Sequence, residues 1–389
     1  MSTKTKWLYD EGGLVLYSSL LILSVLLAVG VGARIMLQTD SKILANMRGS
    51  AEAFYLAEAG LEWGKGEISK NSSHPPDPLG RAQNFSSGSF SVSFLAPTAV
   101  TPLVARIVVR STGAVSNSLQ IVQAQVTKSY DLADAAVGLR GTVNRVAFSA
   151  NPLLISGRDY DPATGQVVGG AKARPAISVP DEILKGLVEQ SLSDSQQTGS
   201  VGSGGAISAV AESSFMPASA IARLASELCA SAQAVTAYVP SAGMLSLENQ
   251  SWGTRSAPQL RCIEGLAGPG DSVNLSGMTG AGILVVRNAD LILSGSFRWE
   301  GPILVSGDNV SFKVEGVDSK EIYGSLMVHE TGTPGAATAI LDIQGSVKVL
   351  FSRSALARVA TLIPSSTLTA VYSSLPWTIG QEYWRTVTP

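Results

Sequence analysis

The sequence predicts an α+β protein, mainly β: a long N-terminal helix packed on a small antiparallel sheet, followed by a large β-solenoid-like body. Three observations predict it. A run of 22 residues between Glu11 and Arg34 carries no charge. The stretch after it, Ser41 to Ile68, keeps apolar residues at spacings of three and four. Further on, short runs of β-formers recur with Gly, Asn and Asp between them. A β-sandwich is the alternative arrangement for those runs.

Composition narrows the class. The chain has 389 residues, enough for two or three units. Only 15% of residues are charged, the net charge is -2, and there are 39 glycines and 18 prolines. Low charge with abundant glycine suits a turn-rich β protein. No basic field large enough to attract nucleic acid is present. Two His and two Cys leave little from which to build a His- or Cys-based metal site.

The helix is read first. A bilayer core needs about 20 mainly apolar residues in helical form, and Leu14 to Met36 supplies them. Leu14, Val15, Leu16, Leu20, Leu21, Leu23, Val25 and Leu26 form its apolar surface. Lys4 and Lys6 precede the run, which favours an N-in, C-out orientation. No proline occurs before Pro75, so one helix over 14–70 is expected, on the order of 80 Å long at about 1.5 Å per residue. Its second half is amphipathic, and Met47, Phe54, Tyr55 and Leu61 are the residues expected to face a sheet.

The charged leader 1–13, the pair Gly12-Gly13, the apolar helix and the segment AFYLAEAGLEWG at Ala53 to Gly64 resemble a type IV minor pilin with a PilX-like N-terminus. The resemblance covers roughly residues 8 to 70. It implies that a prepilin peptidase cuts after Gly12 or Gly13, and that the helix leaves the inner membrane to pack in a filament. The partners so implied are other pilin subunits and the pilus assembly machinery, with a surface ligand for the large β domain. The implied location is the inner membrane, single pass with the C-terminus outside the cytoplasm, then the pilus or cell surface. The usual pilin pattern has Glu at the fifth mature position, where it pairs with the N-terminus of a neighbouring subunit. Here Tyr17 or Ser18 stands there. Subunits lacking that glutamate are often minor components sited at the filament tip. The bland alternative is a single-pass anchor that never polymerises.

Residues 80–128 read as a three-stranded meander. Gly88 to Phe94, Ala105 to Ser111 and Leu119 to Val126 alternate small polar with apolar residues, with a turn at Gly113 to Asn117. Its apolar face needs a partner, and the helix is the nearest one.

Residues 129–178 and 260–358 share one strand-turn rhythm and are read as a solenoid-like body. Residues 179–259 are read as an insertion, with helices near Pro180 to Leu192 and Pro217 to Val235 and a Ser/Gly-rich loop between them. Residues 359–389 are read as a tail docked on that same body, with Trp377, Tyr383 and Trp384 near its end. Cys229 and Cys262 form a disulfide if they lie outside the cytoplasm and close together; otherwise they are two buried thiols.

No catalytic constellation emerges. His74 and His329 are the only histidines, and no nucleophile elbow or phosphate-binding loop accompanies them. Asp159, Asp161, Asp290, Asp308 and Asp318 offer oxygens suited to calcium, yet Asp at strand corners ordinarily bonds its own backbone. The expectation is a structural protein without enzyme activity, cofactor or metal.

Overall fold

The computed structural model describes residues 11–70, 77–101, 103–141, 145–150, 152–195, 197–202, 208–231, 233–239, 243–265, 270–331, 340–364, 367, 371 and 378–387. The fold is α+β and mainly β. Most of the leader, His74 and Trp377 lie outside the described residues.

Helix α1 spans Glu11–Lys70 without a break, starting three residues before Leu14. The strands β1 (Arg81–Phe85), β2 (Gly88–Thr101), β3 (Val104–Val115) and β4 (Ser118–Ser129) pair antiparallel in that order. Their apolar face lies on the second half of α1 through Phe90, Val92, Ile107, Val109, Val122, Ala124 and Val126. We call this unit the head. A fifth strand, from the far end of the chain, completes its sheet.

The helix face that meets the sheet differs in part from the one its spacing suggested: Leu61 lies in it and Phe54 at its margin, whereas Met47 and Tyr55 do not. Ala53, Ala57, Leu61 and Ile68 are buried, whereas Met47 and Tyr55 are 65% and 67% exposed. Phe54 is half-buried at the margin of the same cluster. The reason is close approach. A Cβ on Gly64 would lie 2.7 Å from Val109, and one on Gly113 would strike the carbonyl oxygen of Ala53. Small residues on both surfaces draw helix and sheet together, leaving no room there for Met or Tyr.

The remaining strands build the body. Strands β5 (Val137–Gly141), β6 (Val146–Phe148), β7 (Leu153–Ser156) and β8 (Ile177–Val179) come first. Then follow α2 (Glu182–Asp194), β9 (Val201–Gly202), β10 (Val210–Glu212) and α3 (Ala218–Ala230). Strands β11 (Ala234–Tyr238), β12 (Met244–Glu248), β13 (Ser251–Trp252) and β14 (Gln259–Glu264) lead into β15 (Ser272–Ser276), β16 (Met278–Arg287) and β17 (Asp290–Leu293). The series ends with β18 (Phe297–Gly307), β19 (Phe312–Val314), β20 (Lys320–Glu330), β21 (Leu341–Ile343), β22 (Val347–Phe351) and α4 (Arg353–Val359).

Every pairing between these strands is parallel. The chain therefore winds in coils with three sides. One side is β12-β15-β17-β19-β21-β6. The long strands β16, β18 and β20 each supply the other two, because they bend midway at Gly282, Gly301 and Gly324, whose φ values are 148°, 141° and 147°. Only glycine adopts that backbone without strain, and a side chain on Gly301 would strike the carbonyl of Gly282. Inside, aliphatic residues stack in register: Leu245, Val273, Leu291, Phe312, Leu341 and Val146 form one row. The middle four of that row are fully buried, each contributing about 1.5–3 kcal/mol of transfer free energy.

Residues 179–259 are not a separate insertion. Strands β9 to β13 extend the same parallel sheets at both ends, with β10 on β8, β9 on β7, β11 on β14, β12 on β15 and β13 on β16. Strands of two to five residues are too short to reveal themselves by periodicity. The coil β5-β6-β7 lies directly beside β20-β21-β22, pairing Leu326 with Val137, Leu341 with Val146 and Val347 with Leu153.

The C-terminal stretch also departs from expectation. Strand β23 (Thr378–Val387) leaves the body and pairs antiparallel with β4 of the head. The head sheet thus has five strands, not three, and the whole body is inserted between two neighbouring strands of it.

Candidate membrane and filament interface

The first half of α1 is the most unusual surface of the molecule. From Val15 to Leu37 its large apolar side chains are 49% to 72% exposed, including Val15, Leu16, Leu20, Leu21, Leu23, Val25 and Leu26. Gly12, Gly13 and Leu14 lie in the first turn. Among the described residues, this is the one helix long and apolar enough to cross a membrane. The three serines between Val15 and Leu37 are internally satisfied. Ser18, Ser19 and Ser24 donate from Oγ to the carbonyls of Val15, Leu16 and Leu21 at 3.0, 2.9 and 2.8 Å. A hydroxyl bonded back to the preceding turn presents little unsatisfied polarity to lipid or to a neighbouring helix.

The second half of α1 carries charge again. Arg48 pairs with Glu52 at 2.9 Å and Lys65 with Glu62 at 2.6 Å on its outer face. Such exposed pairs contribute a few tenths of a kcal/mol each, but they mark that face as water-facing. One rod therefore serves two environments, with the change near Arg34 to Lys42.

The head is closed on one side by β23. Phe54 of α1 meets Trp384 edge to face, ring centres 6.0 Å apart. Glu382 accepts from Arg106 at 2.7 Å and Thr127 at 2.5 Å, and also from Gln125. The Thr127 hydrogen bond, then that of Arg106, holds its carboxyl below the usual range. A groove of about 400 Å³ lies along α1 beside the start of β4, lined by Met47, Ser50, Phe54, Tyr55 and Gln120.

On the body, Cys229 of α3 and Cys262 of β14 are joined in a disulfide, Cα atoms 5.5 Å apart. The bond pins α3 to the sheet beneath it. Among the described residues these two sulfurs and Glu264 are the one group of His, Cys, Asp or Glu atoms close enough to share an ion, and the sulfurs are already bonded to each other. Four of the five aspartates considered for calcium accept hydrogen bonds from the protein: Asp159 from the Arg353 amide, Asp161 from Ala163 and Thr164, Asp290 from Ser311 and Lys313, and Asp308 from Thr331.

A charged ladder decorates another side. Arg298, Glu321 and Lys348 occupy neighbouring strands in register. Glu300 beside them takes two 2.6 Å contacts from Arg255 and one of 3.1 Å from Arg358. Burial alone would raise the Glu300 pKa, but Arg255, Arg358 and Arg298 outweigh it, and the carboxyl stays ionised. His329 is buried, with Nδ1 3.0 Å from Ser306 Oγ. Burial pulls its pKa down, against the opposing charge of Asp308.

Sequence reasoning located the rod from its missing charges and its missing prolines. It assigned Trp384 to a tail docked on the body and missed the β4–β23 pairing, because nothing local links residues so far apart along the chain. Alternation in Ile379 to Arg385 was the only available signal.

No family model matches the sequence, and no curated protein matches it. Among solved structures, the chain is similar to the competence-associated pilin ComZ from Thermus thermophilus. The identity is 12%, the TM-score is 0.23, and the match covers 87% of this chain and 98% of that one.

Proposed function

We propose that this chain is a structural, non-catalytic minor-pilin-like subunit of a type IV pilus or related filament. Its N-terminal helix resides in the inner membrane, with the C-terminus outside the cytoplasm, until assembly. The leader is removed after Gly12 or Gly13. The solenoid-like body is displayed at or near the tip, where it primes assembly or contacts a surface ligand.

One observation carries this reading. A single unbroken helix, α1, has a first half that is apolar and exposed all round and a second half fastened to an antiparallel sheet. A bare membrane anchor needs only the first half. A rigid continuation into a folded head fixes the direction in which the apolar half projects, as a subunit packed among other helices requires. The disulfide supports the outward placement of the body, since such bonds persist in oxidising compartments. Tyr17 or Ser18 at the fifth mature position supports a tip site, where no earlier subunit needs pairing.

The test has two arms. Mass spectrometry of the mature protein from cells with and without the prepilin peptidase reads the N-terminus. A Leu20→Cys variant then reports helix neighbours by cross-linking in sheared pili and in membranes. Expected are a peptidase-dependent N-terminus at Gly13 or Leu14 and cross-links in the pilus fraction. An unchanged N-terminus in both strains, with all protein in membranes, overturns the proposal in favour of a non-polymerising single-pass anchor.

A further inference from the structure

The two ends of the coiled body are finished differently. At one end α2 packs on β6, β8 and β10 through Leu184, Val188 and Leu192, all buried. Side chains there also take up terminal backbone groups: Ser191 Oγ donates to the carbonyl of Val146 at 2.8 Å, and Gln197 Nε2 to that of Ala150 at 2.7 Å. The last inward-facing residues on that end, Val146 and Phe148, are accordingly buried.

The opposite end has no such cover among the described residues. Strands β11, β12 and β13 form its last coil, one on each of the three sides, and each pairs on one edge only, with β14, β15 and β16. Leu245 and Leu247 of β12 continue the two interior rows, yet both are only half-buried. Val235, Tyr238 and Met244 are 50%, 63% and 57% exposed beside them.

Natural sheets guard a free edge with lysine, proline, inward charge or a bulge, and stacked-coil proteins cap their terminal repeats. Here Glu248 is the one charged residue in the three strands, and they contain no proline. The free edges of the head sheet are guarded differently, with Arg81 on β1 and Glu382 and Arg385 on β23. An unguarded edge on three sides of an apolar centre is the form of a surface that is covered in use.

We propose that this end docks against the same end of a second copy of this chain, body to body, across a two-fold axis. The shape selects the occupant. An added peptide strand would cover one side of the three and leave Leu245 and Leu247 open from the others. A second coil end covers all three. A two-fold axis in the plane between the two last coils, crossing opposite the middle of β12, sets β12 antiparallel to its mate, with β11 of each copy against β13 of the other. Such an isologous contact is closed, so it yields a pair and not an open chain. The absence of positive and negative clusters on the strands leaves no like-charge contact to oppose it apart from Glu248, which lies away from the axis at the end of β12.

Ser246 is the central residue of β12 and lies at the axis. Full-length Ser246→Cys protein in detergent should form a disulfide-linked dimer under mild oxidation. Ile292→Cys, two strands inward on the same side, should not. Unmodified protein should run at twice the monomer protein mass by light scattering, and Met244→Lys with Ser246→Lys should return it to one. Equal cross-linking at positions 246 and 292, or a one-chain mass for the unmodified protein, overturns the proposal. The apolar helix is held apart from this result by Leu23→Lys, which disrupts association through α1 and should leave the Ser246→Cys dimer intact. The double lysine variant in turn should leave N-terminal processing and cross-linking through Leu20→Cys unchanged, so the pairing and the filament reading fail separately. Should the double lysine variant lose its far-ultraviolet circular dichroism, the cross-linking pair still decides.

Discussion

Thr378 lies opposite Ser129 in the antiparallel ladder between β23 and β4. The chain therefore enters the body from one strand of the head and returns through the strand beside it. Body and head are joined by a neck of two hydrogen-bonded strands, and the neck ends where Phe54 of the helix receives Trp384.

That ring contact should be measurable. Trp384→Ala should lower the unfolding free energy of the head by about 1 kcal/mol, and a double-mutant cycle with Phe54→Ala should give a coupling of about 0.5–1.5 kcal/mol. Urea titration followed by circular dichroism is sufficient. A coupling near zero would mean that the two rings act independently.

The close approach of helix and sheet makes a sharper prediction. Gly113→Ala places a methyl against the Ala53 carbonyl oxygen and 2.6 Å from the Ala57 nitrogen. It should cost about 3 kcal/mol, at the upper end of overpacking effects. Gly66→Ala, with nothing within 4 Å of the added carbon, should instead stabilise by about 0.5–1 kcal/mol through the unfolded state and helix propensity. Opposite signs in the two thermal melts are the expected outcome.

The disulfide closes a loop with a sequence separation of 33 residues. Loop-closure entropy then predicts that Cys229→Ser with Cys262→Ser loses about 3–4 kcal/mol. Denaturant titration of the body, compared with wild type under reducing conditions, checks this. Reduced wild type should match the double variant.

Lys128 gives a pH dependence. It is fully buried on β4, and burial lowers its pKa to about 7. In the unfolded chain it holds its proton to about pH 10. Between those values the unfolded state binds the extra proton, so this contribution to stability rises with pH from about 7 to about 10 and is least favourable below 7. Lys128→Met should flatten that rise and increase the melting temperature at pH 6. An unchanged pH slope in the variant would assign the dependence to other groups.

These sites also show how far the sequence could be read. The rod was legible because Leu14 to Met36 lacks charge and no proline precedes Pro75. Strands β2, β3 and β4 were legible because their alternation is long. The docking face of the helix was legible at Leu61 and Phe54 but not at Met47 and Tyr55, because hydrophobic periodicity weights those two, whereas the rest of the close contact is made by Ala53, Ala57, Gly60 and Gly64, whose virtue is small size. The strands β9 to β13 read as an insertion because each is too short to carry a period and pairs with strands distant in the chain. The corner glycines Gly282, Gly301 and Gly324 were visible as letters, but only their positive φ shows that they bend three strands at one edge. The disulfide could be posed from two cysteines and decided only by their proximity.

The neck has a mechanical consequence. A domain hung from one flexible strand can swivel, and a pull on it travels along a single backbone. Here a torque on the body meets two paired strands, the outer one braced against the rod by Trp384. Tension from anything gripping the far domain reaches α1 along β4 while β23 resists twisting, so the bearing of the rod and the aim of the distal surface are set together.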